Sequence, residues 1–294
     1  MKKGLSFLLA VILMAGIVTP TALADDVINE KLGVPIVVYG ANLSESELEI
    51  VKKDLKTAEE AEVEELSVDG NDLIKYIPGG DRNARMYSSA KITRQEEGEG
   101  LVINIVTPDN ITQVTADMYA TAMLTAGIED AVVEVAAPKK VTGHSALVGI
   151  YKAYEVSGEV LDTERTDTAN DELNLATKLS EKAGVDKDEV AKLLTDIKKQ
   201  IAEQKPATKE DVEKIVNEQL SKLNIQLSDA DRQLLIDLMD RISKLDIDFS
   251  KLNEQLSDMA SKIKDKLGDI DPSFWEKVKE FFRNMADSLK SLFS

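Results

Sequence analysis

The chain is 294 residues long and carries 36 Lys and Arg against 54 Asp and Glu, a net charge of −18. Such an acidic balance excludes nucleic acid as a partner, because phosphate contacts need Lys and Arg to displace counterions, and it excludes simple electrostatic attachment to anionic lipid. With no cysteine and a single histidine, disulfides, thiolate catalysis, cysteine-ligated metals and a multi-histidine centre within one chain are excluded as well; no cofactor is expected.

The first 24 residues read as an export address. Lys2 and Lys3 precede an apolar run from Leu5 to Val18, and Pro20 leads into Ala22-Leu23-Ala24, small residues at the positions a signal peptidase accepts. The run is shorter than the ~20 residues that a membrane-spanning helix requires. Cleavage is expected between Ala24 and Asp25, which removes two lysines and no acid and takes the charge from −18 to −20. No later stretch is long and apolar enough to span a membrane, so the mature protein is expected to be exported and free of a transmembrane span.

From residue 25 to about 160 the hydrophobic period switches between two and 3.6, which predicts an α/β domain. Val34–Tyr39 reads as a short buried strand. A helix capped by Ser44 or Ser46 follows to about Thr57, and Val63–Val68 alternates as a second strand that stops at the turn cluster Asp69-Gly70-Asn71-Asp72. Leu73–Ile77 gives a helical turn. Met86–Gln95 and Leu101–Thr107 read as strands joined in a hairpin through Glu97-Gly98-Glu99-Gly100. A helix from about Val114 ends at Gly127, Ala131–Ala136 is the last strand, and helical spacing returns from Ser145 to Val156. About five strands and about three helices are therefore expected in a mixed sheet.

Residues 161–172 are polar and read as a linker or a weak helix start. Residues 173–294 then show five or six amphipathic helices and no strand, opened by Asp186, Thr208 and Ser228, broken at Pro206 and Gly268, with Asp271-Pro272 starting the last. A bundle or an extended helical region is expected there.

That last helix has a broad apolar face at spacings of three, four and seven: Phe274, Trp275, Val278, Phe281, Phe282, Met285, Leu289, Leu292 and Phe293. Such a face should not stay wet. It suits closure of the bundle, a partner's groove or a membrane interface, and Phe274, Trp275, Phe281, Phe282 and Phe293 are its aromatic anchors. Deleting Pro272–Ser294 is expected to lower thermal stability or to release the protein from the envelope fraction.

Three short motifs touch on chemistry. Gly143-His144-Ser145-Ala146-Leu147 approximates the nucleophile elbow Gly-x-Ser-x-Gly, but Leu147 replaces the last glycine and the chain's one histidine occupies the x position. Ser88-Ser89-Ala90-Lys91 matches Ser-x-x-Lys, and Lys140-Val141-Thr142-Gly143 is one residue from Lys-Thr-Gly. Penicillin-recognising enzymes place that serine and lysine on one side of a helix; here the segment alternates as a strand, which sends residues three apart to opposite faces. Asp69–Asp72 and Asp269-Ile270-Asp271 lack the spacing of a calcium loop, so no metal ligands are assigned. The residues left as a candidate surface or cleft are Ser88, Lys91, Thr142, His144 and Ser145, none with a catalytic role assigned. Whether these segments meet in one pocket separates an envelope-polymer-directed enzyme, using carboxylate or Ser/Lys chemistry, from a non-enzymatic protein.

Several segments in order, Met86–Ile92, Asn110–Thr115, Met118-Tyr119, Thr125–Ile128, Val133–Pro138, Gly143–Ile150 and Lys152–Glu155, together resemble the YpuA-like family of exported proteins from Gram-positive bacteria. The resemblance covers about Val34 to Val160 closely and the helical tail loosely. Thr142, His144, Ser145 and Val148 depart from the family's usual Ser-Gly-Thr-Ala-Ala-Leu-Thr-Gly wording. The family's shared domain has no assigned function, so the resemblance implies no catalytic residues. The reading is an exported binding or structural protein at the cell envelope, with an envelope protein or polymer as partner and an oligomeric state that the sequence leaves open.

Overall fold

The computed structural model describes residues 32–182, 185–248, 251 and 254–255. The expected signal peptide at 1–24 and the final amphipathic segment at 272–294 lie outside these residues, as does most of the stretch leading to the expected break at Gly268.

Five strands form one mixed sheet: β1 Ile36–Gly40, β2 Glu64–Val68, β3 Ser89–Arg94, β4 Leu101–Ile105 and β5 Ala131–Ala136, in the order β2-β1-β3-β5-β4. Four helices belong to this half: α1 Glu45–Asp54, α2 Gly70–Tyr76, α3 Ala116–Ala126 and α4 His144–Val156. Local chemistry places their starts. Ser44 caps α1 in a capping box with Glu47, and Asp69 does the same for α2 with Asp72, so the turn cluster read there is a helix start. Thr115 caps α3, which ends on Gly127 at φ +90°.

The hairpin expected between β3 and β4 is absent, because β5 lies between them. β5 pairs antiparallel with β3, Arg94 facing Ala131, and parallel with β4, Leu101 also facing Ala131. The glycine loop therefore spans two inter-strand gaps, ~10 Å instead of ~5 Å. It is held open by the residue just before β5: Asp130 Oδ1 accepts from Gly98 N at 3.1 Å and Gly100 N at 2.8 Å, and Asp130 O accepts from Gln95 N at 2.7 Å. Gly98 and Gly100 supply the positive φ that aims both amides at one carboxylate.

Each strand residue's face follows the period of two. Val37, Tyr39 and Ala136 pack under Val51 and Leu55 of α1, whereas Val38, Ala90, Ile92, Val133 and Val135 join the main core beneath α3 and α4. α3 is buried along nearly its whole circumference, from Met118 to Ala126, because it lies between the sheet and a second layer of helices.

That second layer is α5 Thr163–Lys182, α6 Lys187–Gln204, α7 Lys209–Lys222 and α8 Asp229–Lys244. Asp186, Thr208 and Ser228 cap the last three as expected. Of the two readings of the polar stretch 161–172, linker or weak helix start, the structure corrects the first and has the second: from Thr163 it is the first half of α5, lying on α3 and touching α2, α4 and α8. Its buried face consists of Thr166, Thr168, Ala169 and Glu172, so no apolar stripe marks it. Threonine hydroxyls make this burial possible by bonding backbone carbonyls: Thr166 to Tyr76 O at 2.9 Å and Thr168 to Glu164 O at 2.7 Å. One continuous core runs from the sheet through α5 into α6, α7 and α8.

Limited proteolysis is accordingly expected to spare 161–172. No fragment ending there should accumulate; a stable fragment ending between Asp162 and Glu172 would show that α5 opens independently of the sheet.

The seam between α3, α5 and α6 holds one buried ion pair. Lys198 Nζ donates to Glu172 Oε1 at 2.6 Å, Thr121 O at 2.8 Å and Thr125 Oγ1 at 3.0 Å, while Thr125 Oγ1 lies 2.6 Å from Glu172 Oε2. The two charged side chains are 0 % and 1 % exposed.

Candidate functional site

The segments at 86–91 and 141–145 do meet, but not through all their candidate residues. Ser88 precedes β3 and points to the α4 side of the sheet; Ser145 lies in the first turn of α4. Their hydroxyl oxygens are 2.6 Å apart, Ser88 N donates to Ser145 Oγ at 3.2 Å, and Ser88 Oγ donates to Gly143 O at 3.2 Å. With Ser88 donating to the carbonyl, Ser145 donates to Ser88, and the three bonds run in series from Ser88 N through both hydroxyls to Gly143 O. Tyr119 Oη adds a second donor on Gly143 O at 2.6 Å.

Gly143 is required at this corner for two reasons. Its φ of +106° is strained for other residues, and a Cβ would lie 2.7 Å from Tyr119 Oη and 2.9 Å from Ile111 Cγ2. In the sequence this glycine opens a stretch that only approximates an elbow motif; its use is to let α4 begin against α3.

Lys91 faces away, on the α1 side. Its ammonium donates to Leu55 O at 3.0 Å and Glu60 Oε1 at 2.7 Å and pairs with Glu134 Oε2 at 2.7 Å. Burial alone would lower its pKa, but Glu134 and Glu60 outweigh that and the net shift is upward. A lysine base must be neutral to accept a proton; Lys91 is held charged and its three donors are engaged. The alternation argument that put Ser88 and Lys91 on opposite faces holds in the structure, and Ser-x-x-Lys forms no dyad.

His144 opens α4 and is half-buried. Desolvation lowers its pKa below the ordinary 6.5, against an opposing pull from Glu181, so the ring is neutral at neutral pH. Among the described residues no hydrogen bond joins it to either serine, so the elbow lacks its base. Thr142 is exposed beside it.

Around this corner lies a cleft of about 220 Å³, lined by Leu73, Met86, Tyr87, Thr142, His144 and Ser145, with Arg85 and Asn170 adding polar groups. Ser88 lies behind its wall and Lys91 on the opposite face. Sequence reasoning missed Arg85 and Asn170: one sits in a loop with no motif, the other on the polar first half of α5, which reads as a linker or a weak helix start. Tyr87 is braced from outside by Lys139 Nζ, 3.9 Å from its ring centroid. No group of three His, Asp or Glu is placed to hold a metal ion among the described residues.

A mixed five-stranded sheet covered by a layer of helices, with its conspicuous hydroxyls and its Ser-x-x-Lys lysine engaged internally, defines an α/β protein. The chain belongs to the family described as "Protein of unknown function (DUF1002)", whose model matches residues 39–259. It is 34 % identical, over the whole length of both chains, to the "Uncharacterized protein YpuA" of Bacillus subtilis (strain 168). No solved structure matches. Among the described residues no helix is long and apolar enough to cross a membrane.

Proposed function

We propose that this is an exported protein that binds or scaffolds at the cell envelope and carries out no covalent chemistry itself. The hydrogen-bond relay from Ser145 through Ser88 to Gly143 O supports the second half most directly. A nucleophilic serine needs its oxygen aimed at substrate and its proton on a base; here each hydroxyl proton has an internal acceptor within the corner that starts α4. The first half rests on the export address at 1–24 and on the cleft beside that corner, whose Arg85, Tyr87, Thr142, His144 and Asn170 offer charge, an aromatic face and donors to an envelope protein or polymer.

Two measurements test it. Cells producing the full chain are fractionated and the mature N-terminus sequenced: Asp25 is expected, outside the cytoplasm, and a cytoplasmic protein retaining residues 1–24 would overturn the export reading. The purified protein is then incubated with a fluorophosphonate and, separately, a β-lactam. Intact mass is expected to stay unchanged, and a stoichiometric adduct on Ser88 or Ser145 would overturn the non-enzymatic reading.

A further inference from the structure

A groove larger than that cleft lies away from it. Helices α5 and α8 run side by side and present matching faces, Asp171, Asn174, Leu175 and Lys178 on one, Leu234, Asp237, Leu238 and Arg241 on the other, around a cavity of about 470 Å³. Both sets have the spacing i, i+3, i+4, i+7, which lines up one face of a helix. The seam between two such faces is the shape into which a third amphipathic helix lies. Leu175 and Leu238 form its floor at 7 % exposure each, whereas Leu234 stands 44 % exposed. Arg241 bonds Asp171 through one terminal nitrogen, yet its Nε is buried without a hydrogen-bond partner. A half-exposed leucine above a buried apolar floor leaves this face open to a further helix.

We infer that this groove seats the chain's own C-terminal segment, Pro272–Ser294, with its apolar stripe on the Leu175–Leu234–Leu238 floor and Trp275 among its anchors. Reach allows it. Gln255 Nε2 bonds Asp130 Oδ1 at 2.9 Å, and Arg165 Nη1 reaches Asp246 O at 3.4 Å, so the chain leaving α8 passes the start of α5. Asp171 is six residues further along α5 than Arg165, ~9 Å of helix. The 16 residues from 256 to 271 cover ~24 Å as helix and ~50 Å when extended. Amphipathic pattern and charge agree as well. The segment carries Lys277, Lys279, Arg283 and Lys290 against Glu276, Glu280 and Asp287, a slight positive excess on a chain of net −18, which favours a seat on the acidic body. The inference does not depend on export or on the cleft at Ser145.

Trp275 is the chain's single tryptophan, so intrinsic fluorescence of the full-length protein reads this contact alone. Expected are blue-shifted emission, resistance to acrylamide and a monomer whose emission does not change on dilution. Leu234→Glu, at a half-exposed position, is expected to red-shift the emission and raise quenching several-fold with unchanged far-ultraviolet circular dichroism. Asn174→Lys, at an exposed position in the same groove, serves if Leu234→Glu fails to fold. The inference is overturned by a solvent-exposed Trp275 in the parent protein or by protection that survives both groove variants. It is equally overturned by protection lost on dilution, which marks a second copy, or gained only with lipid vesicles, which marks a membrane.

Discussion

Replacing Lys198 with methionine is expected to lower the unfolding free energy by about 3–5 kcal/mol, the usual consequence of removing one partner from a buried ion pair. The ammonium holds three groups at once: Glu172 on α5, and Thr121 O and Thr125 Oγ1 on α3. Its loss leaves the Glu172 carboxylate, 1 % exposed, with Thr125 Oγ1 as its remaining partner. Burial lowers the Lys198 pKa and Glu172 pulls it back up, so attraction and desolvation oppose each other and the pair's net worth is far smaller than the cost of breaking it. The double variant Lys198→Met, Glu172→Leu should therefore recover most of the loss. Denaturant melts of both variants and the parent decide the matter: a single variant within about 1 kcal/mol of the parent would mean that water reaches Glu172, and a double variant no better than the single would mean that packing rather than charge governs the seam.

That pair also shows where the sequence stopped being legible. Strands β1, β2 and β5 and helices α6, α7 and α8 announced themselves because their apolar residues recur at the period of their element and their caps are the usual Ser, Thr and Asp. The first half of α5 did not, since the face it buries is made of Thr166, Thr168, Ala169 and Glu172, whose partners come from α2, from α3, from α6 and from the helix's own backbone; its second half, with Leu173, Ala176 and Leu179 buried, shows the helical spacing in the sequence. A buried polar face looks like a solvated one until its hydrogen-bond acceptors are known. The β3–β4 connection failed for a related reason: alternation marks a strand without naming its neighbour, and the clamp that separates these two is the single carboxylate of Asp130, some 30 residues away. At the candidate site, the period of two placed Ser88 and Lys91 on opposite faces in advance. The Ser88–Ser145 contact, spanning 57 residues, depends on how α4 enters, and that is set by a positive-φ glycine whose sequence context suggested an elbow.

Raising the pH above about 10 is expected to unfold the protein in one steep transition. Tyr39, Tyr76, Tyr119, Tyr151 and Tyr154 all have pKa values raised above the ordinary 10, chiefly by burial. The unfolded chain gives up those protons near pH 10 while the folded chain keeps them. The stability they confer is thus complete below pH 10 and is lost as pH rises from there toward the folded values. Each group contributes up to ~1.4 kcal/mol per pH unit in that window; the wholly buried Tyr119 and Tyr151 alone give ~3 kcal/mol per unit, enough to exhaust a stability of ~5–15 kcal/mol within a few units. Lys198 works in the opposite sense, its lowered pKa making stability rise with pH, but only up to the ordinary lysine value near 10.5. Tyrosinate absorbance and far-ultraviolet circular dichroism should then change together; tyrosinate formation near pH 10 with the helices intact would refute the account. Tyr119→Phe sharpens the test because its two effects have opposite signs. Losing the hydroxyl bond to Gly143 O costs about 1 kcal/mol at neutral pH, and only that, because Ser88 Oγ still donates to the same carbonyl. Removing a group that resists ionisation shallows the alkaline descent, so the variant, less stable than the parent at pH 7, is expected to lose stability more slowly with each pH unit above 10.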